Sequence, residues 1–372
     1  MAFRPSRYLP ILEWGRDYRR ETLVNDLIAA VIVTIMLIPQ SLAYAMLAGL
    51  PPVIGLYASI LPLIAYALFG TSRTLAVGPV AILSLMTAAA AGKVAAQGSE
   101  AYIQAALILA FLSGVILLVL GLFRMGFLAN FLSHPVVSGF ITASGIIIAA
   151  SQLKHILGVE AGGHNLFEIV IELGASLGDI NFPTLIIGVA SLIFLFGSRK
   201  YLKPALIKAG LPEKAAAILT RTGPVFAVIA SILAVALLRL EEEGVRILRE
   251  VPRDLPSIGL PAFDRDVWMQ LVGSAALISL IGFVESTSVA KTLAAKRRQR
   301  VDPNQELIGL GAASMTAGIS SGYPVTGGLA RSAVNFDAGA ETPAAGAFTA
   351  VGIALATLFL TPYLYFLPQA VL

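Results

Sequence analysis

The sequence predicts an all-α polytopic membrane protein. Three observations carry that fold class. Of 372 residues, 57% are hydrophobic and only 13% are charged, where soluble chains carry about 25% charged residues. Long apolar runs recur from one end of the chain to the other, and a helical bilayer crossing needs about 20 apolar residues. Two stretches inside the apolar regions are interrupted by Gly and Pro. Backbone that breaks at membrane depth must be buried in protein or line a cavity.

Arg4, Arg7, Arg16, Arg19 and Arg20 precede the first apolar run and place residues 1–24 in the cytoplasm. That run is too long for a signal core, so no cleavable signal is expected. The first span is expected at 27–47, interrupted in its middle by Pro39 and Gln40. A short turn, Leu50-Pro51-Pro52, leads to a second span at 53–69. Thr74–Val77 is β-prone and meets Gly78-Pro79, with Pro79 suited to the first turn of a helix. The helical run from Val80 to Ala91 is too short to cross a bilayer.

Further spans are expected at 102–122, 135–152, 183–196 and 224–238. Between the last two, Arg199, Lys200, Lys203, Lys208, Lys214 and Arg221 mark a cytoplasmic loop. Residues 241–266 mix charge signs and hold three prolines, which suits an extracytoplasmic connection, with Trp268 as an interfacial anchor. A span at 267–290 ends inside at Lys291, Lys296, Arg297, Arg298 and Arg300. A Gly- and Ala-rich span at 305–319 follows, then the second broken stretch, Ser320–Ser332. It is expected to be extended to Thr326 and to start a half-helix at Gly327–Gly328. A span at 343–360 and the approach to another at 362–372 complete the chain.

The two broken stretches correspond. Gln40 stands 37 residues before Val77, and Glu285 stands 41 before Thr326. In each case a span bearing a polar group is followed by one more span, an extended piece and a half-helix. The first set begins inside and the second outside, which makes an inverted repeat. Paired interrupted segments of this kind point to a transporter's midplane site. Two opposed half-helices each bring roughly half a positive charge at the N-terminus. Arg331 adds a whole charge, and the combination favours a small oxyanion.

Val80, Ala81, Gly327 and Gly328 offer backbone amides to such a ligand. Thr326 offers a hydroxyl or caps its half-helix. Gln40 contacts the ligand or bonds a neighbouring helix, and Tyr44, one turn on, shares its face. Arg331 touches the anion or only sets the field. Glu285 is an ionisable group inside a span, read as coupling to protons or as the ion-pair partner of Lys291 or Arg331. Ser286 and Ser288 are expected to bond carbonyls of their own helix.

Other classes are disfavoured. The chain has no cysteine, so disulfides and thiolate metal sites are excluded. His134, His155 and His164 lack metal spacing, and no nucleophile–base pair appears. No enzyme activity, metal or cofactor is expected. The net charge of +4 lies in loops and reads as topology rather than nucleic-acid binding.

The run Pro52-Val53-Ile54-Gly55-Leu56-Tyr57-Ala58-Ser59, ending in Phe69-Gly70-Thr71-Ser72-Arg73, resembles the sulfate-transporter signature of the SulP/SLC26 anion transporter family. Pro39–Ala45, Val284-Glu285-Ser286, Asp302–Leu307, Pro324–Gly328 and Arg331–Asn335 are also similar to segments of that family. Ala330 stands where many members carry serine, and Ser314 where many carry asparagine. The resemblance implies a seven-plus-seven inverted-repeat (UraA-like) fold, divided into core and gate domains. It assigns 25–124 and 267–361 to the core, 125–240 to the gate and 362–372 to the start of the second gate part. It also implies a homodimer with a cytoplasmic STAS domain. The present sequence stops before the last spans and that domain, and is read as a fragment or a diverged member. The implied function is secondary transport of sulfate, bicarbonate or a dicarboxylate across a cell membrane, by elevator-like alternating access with proton symport or exchange. A channel-like anion conductor and a nucleobase–cation symporter of the same fold are the alternatives.

Overall fold

The computed structural model describes residues 9–130, 134–161, 166–213, 216, 219, 220 and 222–372. Arg4, Arg7, His164, Lys214 and Arg221 lie outside the described residues. The first long helix, α1 (Arg20–Leu47), passes through Pro39 without a break, contrary to the expected interruption. Proline is tolerated in membrane helices where neighbours resupply its freed backbone groups. Here α2 (Pro52–Tyr57) folds back on the same stretch. A Cβ on Gly55 would lie 1.8 Å from the Ser41 carbonyl oxygen, and the Ser41 and Ser59 hydroxyls are 2.8 Å apart. The second expected span is two helices, α2 and α3 (Leu61–Phe69), with Pro62 in the first turn of α3.

Next come β1 (Val77–Gly78), α4 (Ala81–Ala91), α5 (Glu100–Leu122), α6 (His134–Leu157), α7 (Leu166–Ala175), α8 (Phe182–Gly197), α9 (Lys203–Lys208) and α10 (Gly223–Leu238). They are followed by α11 (Arg265–Lys296), α12 (Pro303–Ile319), β2 (Thr326–Gly327), α13 (Leu329–Asp337) and α14 (Ala344–Phe359). The helix α7 was not anticipated from the sequence. Its Ile169 and Leu173 are buried against Val159. Residues 362–372 form no start of a long helix; short 3-10 turns occupy Thr361–Leu364 and Gln369–Val371 instead. Among the described residues, Arg20–Leu47, Pro52–Phe69, Glu100–Leu122, Phe182–Lys208 and Arg265–Lys296 are long and apolar enough to cross a membrane.

Two compact units emerge: residues up to Ser138 with Asp254–Leu358, and Gly139–Arg253 with Phe359–Leu372. In the first, α5 packs along α12 through small residues. A Cβ on Gly114 would come within 2.3 Å of the Met315 nitrogen, and one on Gly318 within 2.7 Å of the Phe111 nitrogen. Such close backbone approach is how membrane helices gain packing where lipid supplies no hydrophobic drive. In the second unit, Ile187, Val235, Val245 and Ile247 form a cluster with Tyr365 and Phe366 against it. Backbone bonds join Leu248 to Leu367 and Arg249 to Tyr365.

The segment Asp302–Glu306 brackets three parts of the first unit. Asp302 caps α12, Asn304 accepts from the Gly126 N–H, and Gln305 donates to the Phe69 carbonyl. Glu306 is fully buried and accepts from the Tyr66 hydroxyl, the Thr71 N–H and hydroxyl, and the Ser72 N–H. These bonds fix the turn that leads into β1. Truncating Glu306 to Ala strands the buried Tyr66 and Ser72 donors and the half-buried pair on Thr71, with each buried one worth about 1–3 kcal/mol. A loss of about 3 kcal/mol or more is expected, read as a lower melting temperature, with Glu306→Gln milder.

The connection from α13 to α14 is held at both sides. Arg297, at the end of α11, donates to the Phe336 and Ala340 carbonyls and lies 4.3 Å from the Phe336 ring centroid. A cation there suits a helix C-terminus, so this arginine has a structural task besides the topological one expected. Asp26 accepts from the Glu341 and Thr342 N–H groups and the Thr342 hydroxyl. Glu341 in turn accepts from Thr22 and Asn25. Those two bonds, with Arg297 and Arg73 nearby, hold the Glu341 carboxyl below its ordinary 4.5. Because the folded value is depressed, the stabilisation is present above pH 4.5 and is lost as pH falls through the folded value. Melting curves from pH 6 to pH 3 should therefore converge for wild type and Glu341→Gln at the acid end.

Candidate functional site

The two broken stretches meet. β1 and β2 pair antiparallel, with Val77 opposite Gly327 and Gly78 opposite Thr326. Beyond the pair, the Gly328 N–H reaches the Ala76 carbonyl at 3.2 Å. Each strand leads into a half-helix, α4 or α13. Their N-caps are Val80 and Gly328, and neither cap carries a side-chain bond. A usual N-cap side chain accepts from an amide of the first turn. Here those amides remain open to another acceptor. The half-helix starts differ slightly from expectation: Pro79 precedes the cap rather than opening the helix, and Gly327 belongs to the strand.

Arg331 sits in the first turn of α13 and is 2% exposed. Its Nη1 donates to the Pro79 carbonyl. Its Nε and Nη2 are buried without a partner. These two nitrogens form one edge of the guanidinium, the edge that grips two oxygens side by side. The bare face of Gly328 makes room for it, since a Cβ there would lie 3.1 Å from Nη2, and Gly78 stands opposite at ordinary contact distance. Gly78 has φ +150°, a backbone setting that side chains rarely adopt.

Tyr44, Tyr323 and Glu285 lie within electrostatic range of Arg331. The Glu285 Oε2 is buried without a hydrogen-bond partner. Among the described residues, no ion pair joins Glu285 to Arg331 or Lys291. Gln40 and Tyr44 lie one turn apart on α1, both half-buried, and so share a face. Val80 is buried and Ala81 half-buried at the start of α4.

Several donors expected to be free are already engaged. The Gly327 N–H donates to Ser286 Oγ at 2.7 Å, and the Gly328 N–H to Ala76. The Thr326 hydroxyl donates to the Gly282 carbonyl at 2.7 Å and lies 2.5 Å from Ser286 Oγ. Ser286 therefore bonds β2 rather than a carbonyl of its own helix. On α13 the amides without a helical acceptor are those of Leu329, Ala330 and Arg331, as at any helix start.

Further side chains to which the sequence assigns no role shape this region. Ser332 Oγ accepts from the Ala76 N–H, and Asn335 donates to the Thr74 carbonyl, so α13 also grips the approach to β1. Arg331, Ser332 and Asn335 form the buried face of a helix whose other side is more open, and their spacing was the available signal. Ser84 donates to the Val80 carbonyl, and the fully buried Tyr323 donates to Ser84. Ser314 donates to the Val325 carbonyl at 3.1 Å.

Residues 23–372 match the model of the sulfate permease family. The chain belongs to this family. It is a family of multi-pass membrane permeases and not of enzymes. Sulfate transporter 4.1, chloroplastic, of Arabidopsis thaliana is 37% identical over 367 residues, covering 98% of this chain and 52% of that protein. The chain spans about half the length of the curated relatives it matches. Among solved structures, SLC26A9 superposes with a TM-score of 0.89 at 25% identity, over 98% of this chain and 58% of that one. The transmembrane domain of the cyanobacterial bicarbonate transporter BicA gives 0.82 at 20% identity, over 95% and 87%. This permease chain thus has the expected UraA-like, inverted-repeat fold.

Proposed function

We propose that this chain forms the anion-binding membrane part of a secondary active transporter for a small oxyanion. The observation that carries the reading is the unpartnered Nε–Nη2 edge of buried Arg331, set beside two half-helix starts that lack capping side chains. A sulfate, bicarbonate or carboxylate group would place two oxygens on that edge and a third near the open amides of α4 and α13. Gln40 and Tyr44 would line the same space. The relatives named as sulfate transporters put sulfate first among the candidates.

Glu285 is the group we assign to proton coupling, because it is a carboxylate with a buried, unpartnered oxygen within electrostatic range of the cation that would hold the substrate. In this reading the first unit is the moving core and the second belongs to the gate. The N-terminus is cytoplasmic, the bilayer is the cell or inner membrane, and the intact protein is a homodimer. The test is counterflow in proteoliposomes containing the intact protein, with labelled sulfate, bicarbonate and succinate across a pH gradient. Saturable flux with counterflow is expected for at least one of them. Large unitary currents would replace the carrier reading with a channel, and indifference to the gradient would remove proton coupling in favour of exchange.

A further inference from the structure

We propose that Ser286 and Thr326 are positioning residues: a two-hydroxyl latch that fixes the register of β2 on α11 and so assembles the anion site before the anion arrives. The proposal rests on the anion-site reading above.

The latch has one consistent direction. The Gly327 N–H donates to Ser286 Oγ, and Thr326 Oγ1 spends its proton on the Gly282 carbonyl. The remaining short contact, between Ser286 Oγ and Thr326 Oγ1, must therefore use the Ser286 proton. Each hydroxyl donates once and accepts at least once. Gly282 is four residues before Ser286, so its carbonyl is the one a helical serine ordinarily bonds for itself. Thr326 has taken that acceptor, and a helix–strand contact replaces a bond internal to the helix. Both side chains are essentially without exposure, so water cannot substitute. Gly282 is bare where the threonine enters: a Cβ there would lie 3.2 Å from Thr326 Oγ1.

The position of the latch gives it leverage. Ser286 adjoins Glu285 in the chain, and Gly327 adjoins the N-cap of the half-helix that bears Arg331. A slip of β2 on α11 would change the separation of the carboxylate from the guanidinium and turn the open amides of α13. A two-residue strand makes few ladder bonds, because its partner β1 is equally short, so side-chain bonds such as these and Ser314 to the Val325 carbonyl carry its placement.

The consequence is a population effect. Without the latch, only a fraction of molecules present the assembled site, and the apparent affinity falls by that fraction. Once bound, the anion restores the geometry, so translocation is unaffected. In the intact protein, Ser286→Ala and Thr326→Val should each raise KM for labelled sulfate roughly tenfold, the equivalent of one buried hydrogen bond. The maximal rate per folded transporter should stay within about twofold of wild type. Thr326→Ser keeps the hydroxyl and should restore KM. The double variant should be no worse than either single one, because both break the same relay.

A lower maximal rate with unchanged KM would mean the pair only supports folding and would overturn the proposal. So would additive effects, or a Thr326→Ser variant that behaves like Thr326→Val. An Arg331→Ala arm separates the two readings. If Arg331→Ala leaves KM unchanged, the anion-site reading itself fails. If Arg331→Ala raises KM and Thr326→Val does not, the latch alone fails.

Discussion

Arg331→Met is expected to weaken sulfate binding by about a hundredfold or more while leaving the folded protein no less stable. The two halves of that expectation come from different interactions. Inside the protein, the guanidinium makes one hydrogen bond, to Pro79, and two of its nitrogens are buried without partners. A buried charge so poorly satisfied costs stability, and its replacement by an apolar side chain of similar volume is commonly neutral or favourable to the fold. Toward an anion, the same two nitrogens would supply charge-assisted bonds worth about 1.5–3 kcal/mol each, or roughly two decades in affinity for the pair. Arg331→Lys should recover only part of the loss, since an ammonium cannot reproduce a two-nitrogen edge. Isothermal titration beside thermal melting reads both quantities. Intact affinity would remove the guanidinium edge from the anion, and with it the reading built on that edge, leaving Arg331 only a field-setting or gating role.

Glu285→Gln should uncouple uptake from the pH gradient. The substitution keeps the shape of the side chain but removes its capacity to gain and lose a proton. Sulfate affinity should hold or rise, because the carboxylate is a negative charge coupled to Arg331, and like charges repel more strongly out of water. Gradient-driven accumulation should fall to the level of simple exchange, while counterflow without a gradient persists. Unchanged pH dependence in Glu285→Gln would remove this residue from the coupling role.

How much of this was legible in the sequence depends on the range of the interaction concerned. The half-helices could be read because their cause is local: Gly-Pro or Gly-Gly followed by an apolar run too short to cross a bilayer. Their starts differ from expectation by a residue or two because neither Val80 nor Gly328 offers a capping side chain, and that start signal is missing. Pro39 looked like a break because the sequence does not reveal that α2 packs on the same turn of α1. The ten-residue α7 escaped because it is too short for a span. The partners of hydroxyls were least legible of all. Thr326 read as a donor to the ligand and Ser286 as a helix-internal bond, and each proved to be the other's neighbour across a helix–strand contact. Asp302–Glu306 showed a family likeness without revealing its task, which is to gather Gly126, Phe69 and the turn at Thr71–Ser72.

The pairing of β1 with β2 also bears on how the protein is made. Every fixed contact of β1 described above is to chain synthesised late: Gly327 and Thr326 across the ladder, Gly328 at Ala76, Ser332 and Asn335 at its approach. Until that chain is made, Val77–Gly78 lacks the ladder partner it has in the folded protein. The first repeat completes this ladder only after β2 has been made. Misassembly should therefore be most frequent when synthesis stalls between α5 and α13, a window in which premature release would leave an unmatched strand edge for quality-control factors to find.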